Sequence, residues 1–257
     1  MDFGGDIGTM QRRIAEAPEG AKRRLLAFEA LDLVPGLRVL EIGCGGGQLA
    51  SYISPALGAD GRYFGLDAND EQLAAARTTF ADVPNCEFVN GDAIALPFDD
   101  GSFDRVVAIN TLEYIPDTGG VLAEAHRILK PGGRLVNISV LWDHWQFHGA
   151  DAKLTARLLD VFRSHCVHQM LPLEMPVQLQ KAGFGGFRRD LFTFLNTSLH
   201  ENAFGYWAAR VLCHFAKMKG VPEEDTSRFM DELEQADQDG RFGFFNASVI
   251  HSAVRLP

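Results

Sequence analysis

Residues 39–47 read Val-Leu-Glu-Ile-Gly-Cys-Gly-Gly-Gly, where an apolar run that contains one carboxylate, Glu41, breaks into glycines. The apolar run predicts a buried strand, and the glycines predict a loop that follows it directly. Because glycine has no Cβ, another molecule can lie directly against the backbone of such a loop. A helix that begins near Gln48 would point its free N–H groups at the same place. The stretch therefore predicts a binding loop at the end of the first strand.

Strand-like and helix-like segments alternate after a first helical segment at Met10–Leu31. The strand-like segments are 38–42, 62–66, 86–90, 103–109, 134–140, 187–195 and 244–254. The helix-like segments are 48–57, 69–80, 118–129, 152–163, 175–182, 201–217 and 223–236. Continuous apolar strands separated by amphipathic helices predict an α/β fold with a mostly parallel sheet and helices on both of its faces. Ligands of such sheets bind at the carboxyl ends of the strands.

The character of the chain changes after Val140, where a segment rich in tryptophan and histidine begins. The last two predicted strands are separated by far more residues than a hairpin loop contains. We therefore expect a single domain over 1–257, with a helical cap at 1–35 and a ligand-binding core at 36–141. We expect the segments 142–171 and 196–242 to be helical insertions that cover the site as a lid.

Composition and charge exclude several classes of protein. The net charge of −10 argues against nucleic acid as the main partner, because phosphate binding needs a basic surface. No apolar run approaches the roughly 20 residues of a membrane-spanning helix. Residues 1–6 lack the basic and apolar regions of a signal peptide, and the four cysteines lack the spacing of a metal site. We expect a cytoplasmic protein without a bound metal or a membrane span.

Further polar motifs follow the predicted strands in a fixed order. Asp67 ends the second strand, Gly-Asp-Ala at 91–93 follows the third, and Asn-Thr-Leu-Glu-Tyr at 110–114 follows the fourth. A helix-to-strand turn at 126–133 contains Lys-Pro-Gly-Gly. Together with the glycine loop, these motifs resemble those of the class I S-adenosylmethionine (SAM) dependent methyltransferases. The resemblance is closest to the branch that acts in ubiquinone and menaquinone biosynthesis and on other small molecules.

The resemblance implies a Rossmann-like sheet of seven strands with an antiparallel last strand, SAM as the cofactor and S-adenosylhomocysteine as its product. It implies that Glu41 approaches the amino-acid end of the cofactor, Asp67 the ribose hydroxyls and Asp92 the adenine amino group. For Asp67, an N-cap of the following helix is the alternative interpretation. The full set of implied cofactor-binding residues is Glu41, Gly43, Cys44, Gly45, Gly47, Gln48, Asp67, Ala68, Gln72, Gly91, Asp92, Ala93, Asn110, Thr111 and Leu112.

Methyl transfer to an O–H or N–H acceptor usually needs a nearby base. Seven of the eight histidines lie after Val140, and His144 and His148 directly follow the fifth predicted strand. We predict these two histidines and Tyr114 as the catalytic candidates. An ordinary surface or core position for each histidine remains open as an alternative.

The predicted function is transfer of a methyl group to a small, apolar or aromatic molecule. One alternative is a SAM-binding cyclase, lyase or decarboxylase that does not methylate, because its cofactor motifs would be the same. A smaller alternative is an arsenite methyltransferase that uses Cys166 and Cys213. A nicotinamide-dependent dehydrogenase is disfavoured, because Gln48 stands where its fingerprint needs a glycine.

Overall fold

The structure is a computed structural model that describes residues 5–257, except for the side chain of Asp6. Met1–Gly4, which belong to the predicted cap and to the residues tested for a signal peptide, lie outside the described residues. The helices are α1 (Gly5–Glu16), α2 (Pro18–Leu31), α3 (Ala50–Leu57), α4 (Asp70–Thr79), α5 (Thr118–Ile128), α6 (Ala152–Phe162), α7 (Leu171–Lys181), α8 (Phe204–Met218) and α9 (Glu223–Gln238). The strands are β1 (Arg38–Ile42), β2 (Arg62–Asp67), β3 (Cys86–Asn90), β4 (Phe103–Ile109), β5 (Leu129–Val140), β6 (Gln146–His148), β7 (Phe184–Asn196) and β8 (Gly243–Arg255).

The described strands form one sheet in the order β3-β2-β1-β4-β5-β8, and both β6 and β7 also pair with β8. The pairs from β3 to β5 are parallel. Leu141 donates to the carbonyl of Ala247, whereas Arg255 reaches the carbonyl of Leu129, so β8 runs opposite to β5. The predicted Rossmann-like, mostly parallel sheet with an antiparallel last strand is confirmed. The three-residue strand β6 is an addition to the seven predicted strands.

Several element boundaries differ from those expected from the sequence, among them the beginnings of α7, β7 and α8 and the following three. The segment predicted as one helix at Met10–Leu31 is two helices, because Pro18 has no N–H to continue α1 and instead occupies the first position of α2. The strand β5 begins at Leu129, and residues 130–133 are taken up by an irregularity in its pairing with β4. The helix expected near Gln48 begins at Ala50.

The chain forms two compact units, and the first, which we call the sheet unit, comprises Arg23–Val140, Met170–Leu191 and Val249–Pro257. Its core brings one face of the central strands against α5 and α7, with Leu40, Phe103, Leu122 and Leu179 among the buried members. Full burial of each such side chain contributes roughly 1.5–3 kcal/mol relative to exposure. This packing fixes the carboxyl ends of β1, β2 and β4 beside one another.

The second compact unit, which we call the helical unit, comprises 5–22, Leu141–Gln169 and Phe192–Ser248. Its core is aromatic: the ring of Trp145 stacks on Phe162, and the ring of Phe204 stacks on Phe244. His165 stacks on Phe162 at a centroid distance of 4.1 Å, and burial lowers the pKa of His165 to about 4. The aromatic residues of the helical unit therefore form a hydrophobic core of their own.

Candidate cofactor site

The glycine loop after β1 adopts a backbone that disfavours other residues. Gly43, Gly45 and Gly47 have φ angles of +73°, +51° and +80°, in the left-handed region. A Cβ on Gly43 would lie 2.8 Å from the Cβ of Thr111, and a Cβ on Gly47 would lie 3.0 Å from Phe80. A Cβ on Gly45 would meet only Gln72, at 4.0 Å, so this face of the loop is open. The open face can accept a ligand against the backbone.

Asp67 joins the two loops that follow β1 and β2. Its Oδ2 accepts a hydrogen bond from the N–H of Gly45 at 2.8 Å, and its Oδ1 accepts one from the N–H of Asn69 at 2.9 Å. The N-cap of α4 is Asn69, whose side chain accepts from the N–H of Gln72. The carboxylate of Asp67 is therefore not the helix cap, and it lies beside the glycine loop, where a ribose would bring hydroxyl donors.

Glu41 is a buried carboxyl group, with 4% of its surface exposed. The pKa of Glu41 is raised to about 8, mainly by burial and also by the negative charge of Asp67, against the opposing effects of the hydrogen bond from the Tyr63 hydroxyl and the charge of Arg24. Tyr63, which is fully buried on β2, is a site residue that the sequence interpretation missed. A tyrosine inside an apolar strand, two residues from the register partner of Glu41, was the available signal.

Glu41→Gln is expected to change the pH dependence of stability. The raised pKa means that folded Glu41 keeps a proton that the unfolded chain releases between about pH 4.5 and pH 8. The unsubstituted protein therefore loses stability as the pH rises through this window, by roughly 1.4 kcal/mol per pH unit at most. The Gln variant lacks this loss, so urea denaturation should show its relative stability growing from acid to alkaline pH. A constant difference between the two proteins across the window would contradict the assignment.

The segment after β3 places Asp92 at the surface. The Oδ1 of Asp92 accepts a hydrogen bond from the N–H of Ile94 at 3.1 Å, which orders the turn. Ala93 is buried, and Gly91 donates its N–H to the carbonyl of Asp67. This turn is therefore joined to the end of β2 and leaves a carboxylate accessible to a ligand.

Asn110, directly after β4, combines backbone strain with an unsatisfied polar atom. Its φ of +50° is one of two positive values outside glycine in the described chain. Its Oδ1 is buried and has no hydrogen-bond partner among the described residues. Such features persist at functional sites, because a ligand or an ordered water completes them. Thr111 packs on Gly43, and the side chain of Leu112 lies in the hydrophobic core, so any ligand contact of Leu112 must use its backbone.

Four other predicted site residues, Cys44, Tyr114, His144 and His148, differ in their burial and in the part of the fold that carries them. The side chain of Cys44 is buried, with its sulfur beside Gly65, so a ligand would meet only its backbone. Tyr114 ends a 3-10 helix, Leu112–Tyr114, in the sheet unit. His144 and His148 are exposed side chains of the helical unit. Their catalytic role stays a prediction.

Glu113 is a second buried carboxyl group that the sequence interpretation did not single out. It is fully buried, and its side chain accepts a hydrogen bond from Ser139 near the end of β5.

Within residues 5–257, no group of three His, Cys, Asp or Glu side chains could hold a metal ion. None of the described helices is long and apolar enough to cross a membrane.

Comparison with known proteins finds sequence similarity to methyltransferases over part of the chain. A family model for a methyltransferase domain matches residues 40–137. The demethylmenaquinone methyltransferase of Staphylococcus epidermidis is 38% identical over 109 residues, which are 42% of this chain and 45% of that protein. The chain matches half or less of the length of the first curated relatives.

Solved structures share the fold at lower identity. The YcgJ protein of Bacillus subtilis is 19% identical with a TM-score of 0.66, and the match covers 92% of this chain and 99% of that one. The [4+2]-cyclase SpnF is 20% identical with a TM-score of 0.60, and the match covers 93% of this chain and 82% of that one. The match to the methyltransferase domain model covers residues 40–137, and the fold shared with the solved structures extends over most of the chain.

Proposed function

We propose that this protein is an enzyme that transfers a methyl group from SAM to a small molecule. The observation that carries the proposal is the bridge at the carboxyl ends of β1 and β2. There the Asp67 carboxylate holds the N–H of Gly45 beside a glycine loop with one open face. A nucleoside with free ribose hydroxyls fits this arrangement of acceptor and bare backbone.

The cofactor contacts follow the positions of the acidic groups. Asp67 accepts from the ribose hydroxyls, Asp92 from the adenine amino group, and Glu41 lies toward the amino-acid end. The open face of the loop at Gly45 and the unsatisfied Oδ1 of Asn110 add polar contacts. The other cofactor-binding positions predicted from the sequence belong to the same proposal.

Bound SAM would supply an activated methyl group on a sulfonium. The chain's own residues then have to bind and align the two reactants, which is where most of the acceleration of a displacement arises. We assign the segment 110–114 to the floor between the cofactor and the acceptor, with Asn110 on the cofactor side and Tyr114 as the catalytic candidate on the acceptor side. His144 and His148 as bases, and 142–171 and 196–242 as a lid, remain predictions from the sequence.

The acceptor in this proposal is a small molecule. The name of the Staphylococcus relative supports that class, and the net charge of −10 disfavours nucleic acid. The phenylalanines of the inserted segments give little support to an aromatic acceptor, because those that line the helical unit are buried against one another. The proposal of an apolar acceptor therefore rests on the name of the Staphylococcus relative and not on the aromatic content of this chain.

A second candidate function is a cyclisation that uses the same fold without methyl transfer, which the structural match to the [4+2]-cyclase SpnF favours. Arsenite methylation gains no support from the structure. Cys213 is buried, and burial raises the pKa of its thiol to about 12, so the thiolate that would bind arsenic is disfavoured.

Label transfer from methyl-labelled SAM to a panel of hydroquinones and catechols tests the proposal. We expect label in an organic-extractable product and a matching amount of S-adenosylhomocysteine. A protein that binds SAM and converts a substrate while all label stays in SAM would be the cyclase instead. Thermal stabilisation by a nicotinamide dinucleotide and not by S-adenosylhomocysteine would contradict both.

A further inference from the structure

The buried carboxylate of Glu113 ties the segment after β4 to the end of β5. Its Oε2 accepts a hydrogen bond from the Ser139 hydroxyl at 3.0 Å, and its Oε1 accepts one from the N–H of Val140 at 3.3 Å. Asn137 donates its side-chain N–H to the same Ser139 oxygen at 2.9 Å, which orients the hydroxyl toward Glu113. All these residues belong to the sheet unit, so the carboxylate fastens two of its elements together.

A third element, α2, contributes a buried positive charge that interacts with this carboxylate. Arg23 of α2 is buried, and burial lowers the pKa of its guanidinium to about 10, while the charge of Glu113 raises it. Arg24 and Tyr114 are the other titratable groups that act on Arg23. A buried carboxylate is stable only when it has an opposite charge and hydrogen-bond donors, and Glu113 has both. Its hydrogen bonds therefore join the 3-10 helix to β5, and the positive charge of Arg23 on α2 favours its ionised form.

The residues on either side of Glu113 belong to the candidate site. Asn110 carries the strained backbone and the unsatisfied Oδ1, and Tyr114 is one of the three predicted catalytic candidates. The side chain of Glu113 is fully buried and both of its oxygens accept hydrogen bonds from β5, so its effect on a ligand of that site is indirect. Its hydrogen bonds instead restrict the positions that the segment 110–114 can take.

We propose that Glu113 is a positioning residue that holds the segment 110–114 in its ligand-binding conformation through Ser139, Val140 and Arg23. The inference rests on the proposed function, because it takes this segment as part of the cofactor site. The carboxylate form accepts from both donors and attracts Arg23, whereas the protonated form has a hydroxyl that must itself donate. Ligand binding is then tighter when Glu113 is ionised.

A positioning role differs from a purely structural role in the pH dependence of ligand binding that it predicts. Burial raises the pKa of Glu113 to about 7, and the hydrogen bonds from Val140 and Ser139 and the charge of Arg23 lower it. Binding that needs the ionised form should strengthen as the pH rises through neutrality. The pKa of Glu41, about 8, lies in the same pH range. Because Glu41 is present in all the variants compared, the ratio of their affinities at one pH removes its contribution.

The test is the affinity for S-adenosylhomocysteine, measured by calorimetry in the unsubstituted protein and in Glu113→Gln across neutral pH. Glutamine has the size of the protonated acid, so the two proteins should bind equally at acid pH. At alkaline pH the variant should bind about tenfold more weakly, the usual size of such a coupling. Ser139→Ala, which keeps both charges, should weaken binding at every pH and remains informative if Glu113→Gln folds poorly.

Glu124→Gln is the matched control, because Glu124 also accepts from a backbone N–H, that of Leu96, and pairs with an arginine, Arg127. It should lose stability without changing the pH profile of binding. An affinity ratio between Glu113→Gln and the unsubstituted protein that stays constant with pH would overturn the inference and leave the proposed function intact. Failure of the unsubstituted protein to bind S-adenosylhomocysteine would overturn both.

Discussion

Gly43→Ala is expected to abolish S-adenosylhomocysteine binding and to destabilise the protein. The added methyl would lie 2.8 Å from the Cβ of Thr111 and closer still to the outer atoms of that side chain, which packs against the loop. The φ of +73° adds backbone strain. Overpacking and left-handed backbone together cost roughly 3 kcal/mol. Urea denaturation gives the loss of stability, and calorimetry gives the loss of binding.

Gly101→Ala is the control that separates steric contact from backbone strain. Its φ of +60° is similar, but nothing lies within 4 Å of the Cβ that alanine would add. Only the backbone cost of about 1 kcal/mol should remain, with unchanged ligand affinity. Equal effects of the two substitutions would show that the fit of the loop against Thr111 does not matter.

Asp67→Ala is expected to weaken S-adenosylhomocysteine binding by about 100-fold while the protein stays folded. The variant loses charge-assisted hydrogen bonds to the ribose, each of which contributes roughly 1.5–3 kcal/mol when a charged group takes part. It also releases the N–H of Gly45, which the carboxylate holds at 2.8 Å, so the loop loses order. Calorimetry at one pH, with circular dichroism to confirm folding, measures the effect.

Asp104→Asn provides the comparison for Asp67. Asp104 also holds a backbone N–H, that of Arg38 at 2.9 Å, and it pairs with Lys130. It lies at the opposite, amino end of the parallel strands. Its loss should lower stability and leave affinity unchanged. Comparable affinity in Asp67→Ala and in the unsubstituted protein would remove Asp67 from the site.

Local sequence signals were sufficient to predict the sheet and the order of its motifs. The strands β1, β3 and β4 have the bounds predicted from the sequence, because each carries a short run rich in apolar residues between segments with turn signals. The glycine loop was predictable because positive φ angles select glycine. Asn69, and not Asp67, caps α4, and that choice depends on loop geometry which residue type alone does not determine.

The features that the sequence did not predict depend on contacts between residues distant in the chain. The short strand β6 exists only through its pairing with residues 243–245, which no local pattern indicates. Glu113 reads in the sequence as one more polar residue of the motif after β4. A carboxyl group can be buried there because two other elements contribute the hydroxyl of Ser139 and the charge of Arg23. The break between α1 and α2, by contrast, has a local cause in Pro18.

A crystal structure of the protein grown with S-adenosylhomocysteine tests the central claim most directly. The account predicts that the ribose hydroxyls lie within hydrogen-bond distance of Asp67 and that the ligand lies against the open backbone face at Gly45. Density for the ligand at another place, or none at saturating concentration, would contradict the account.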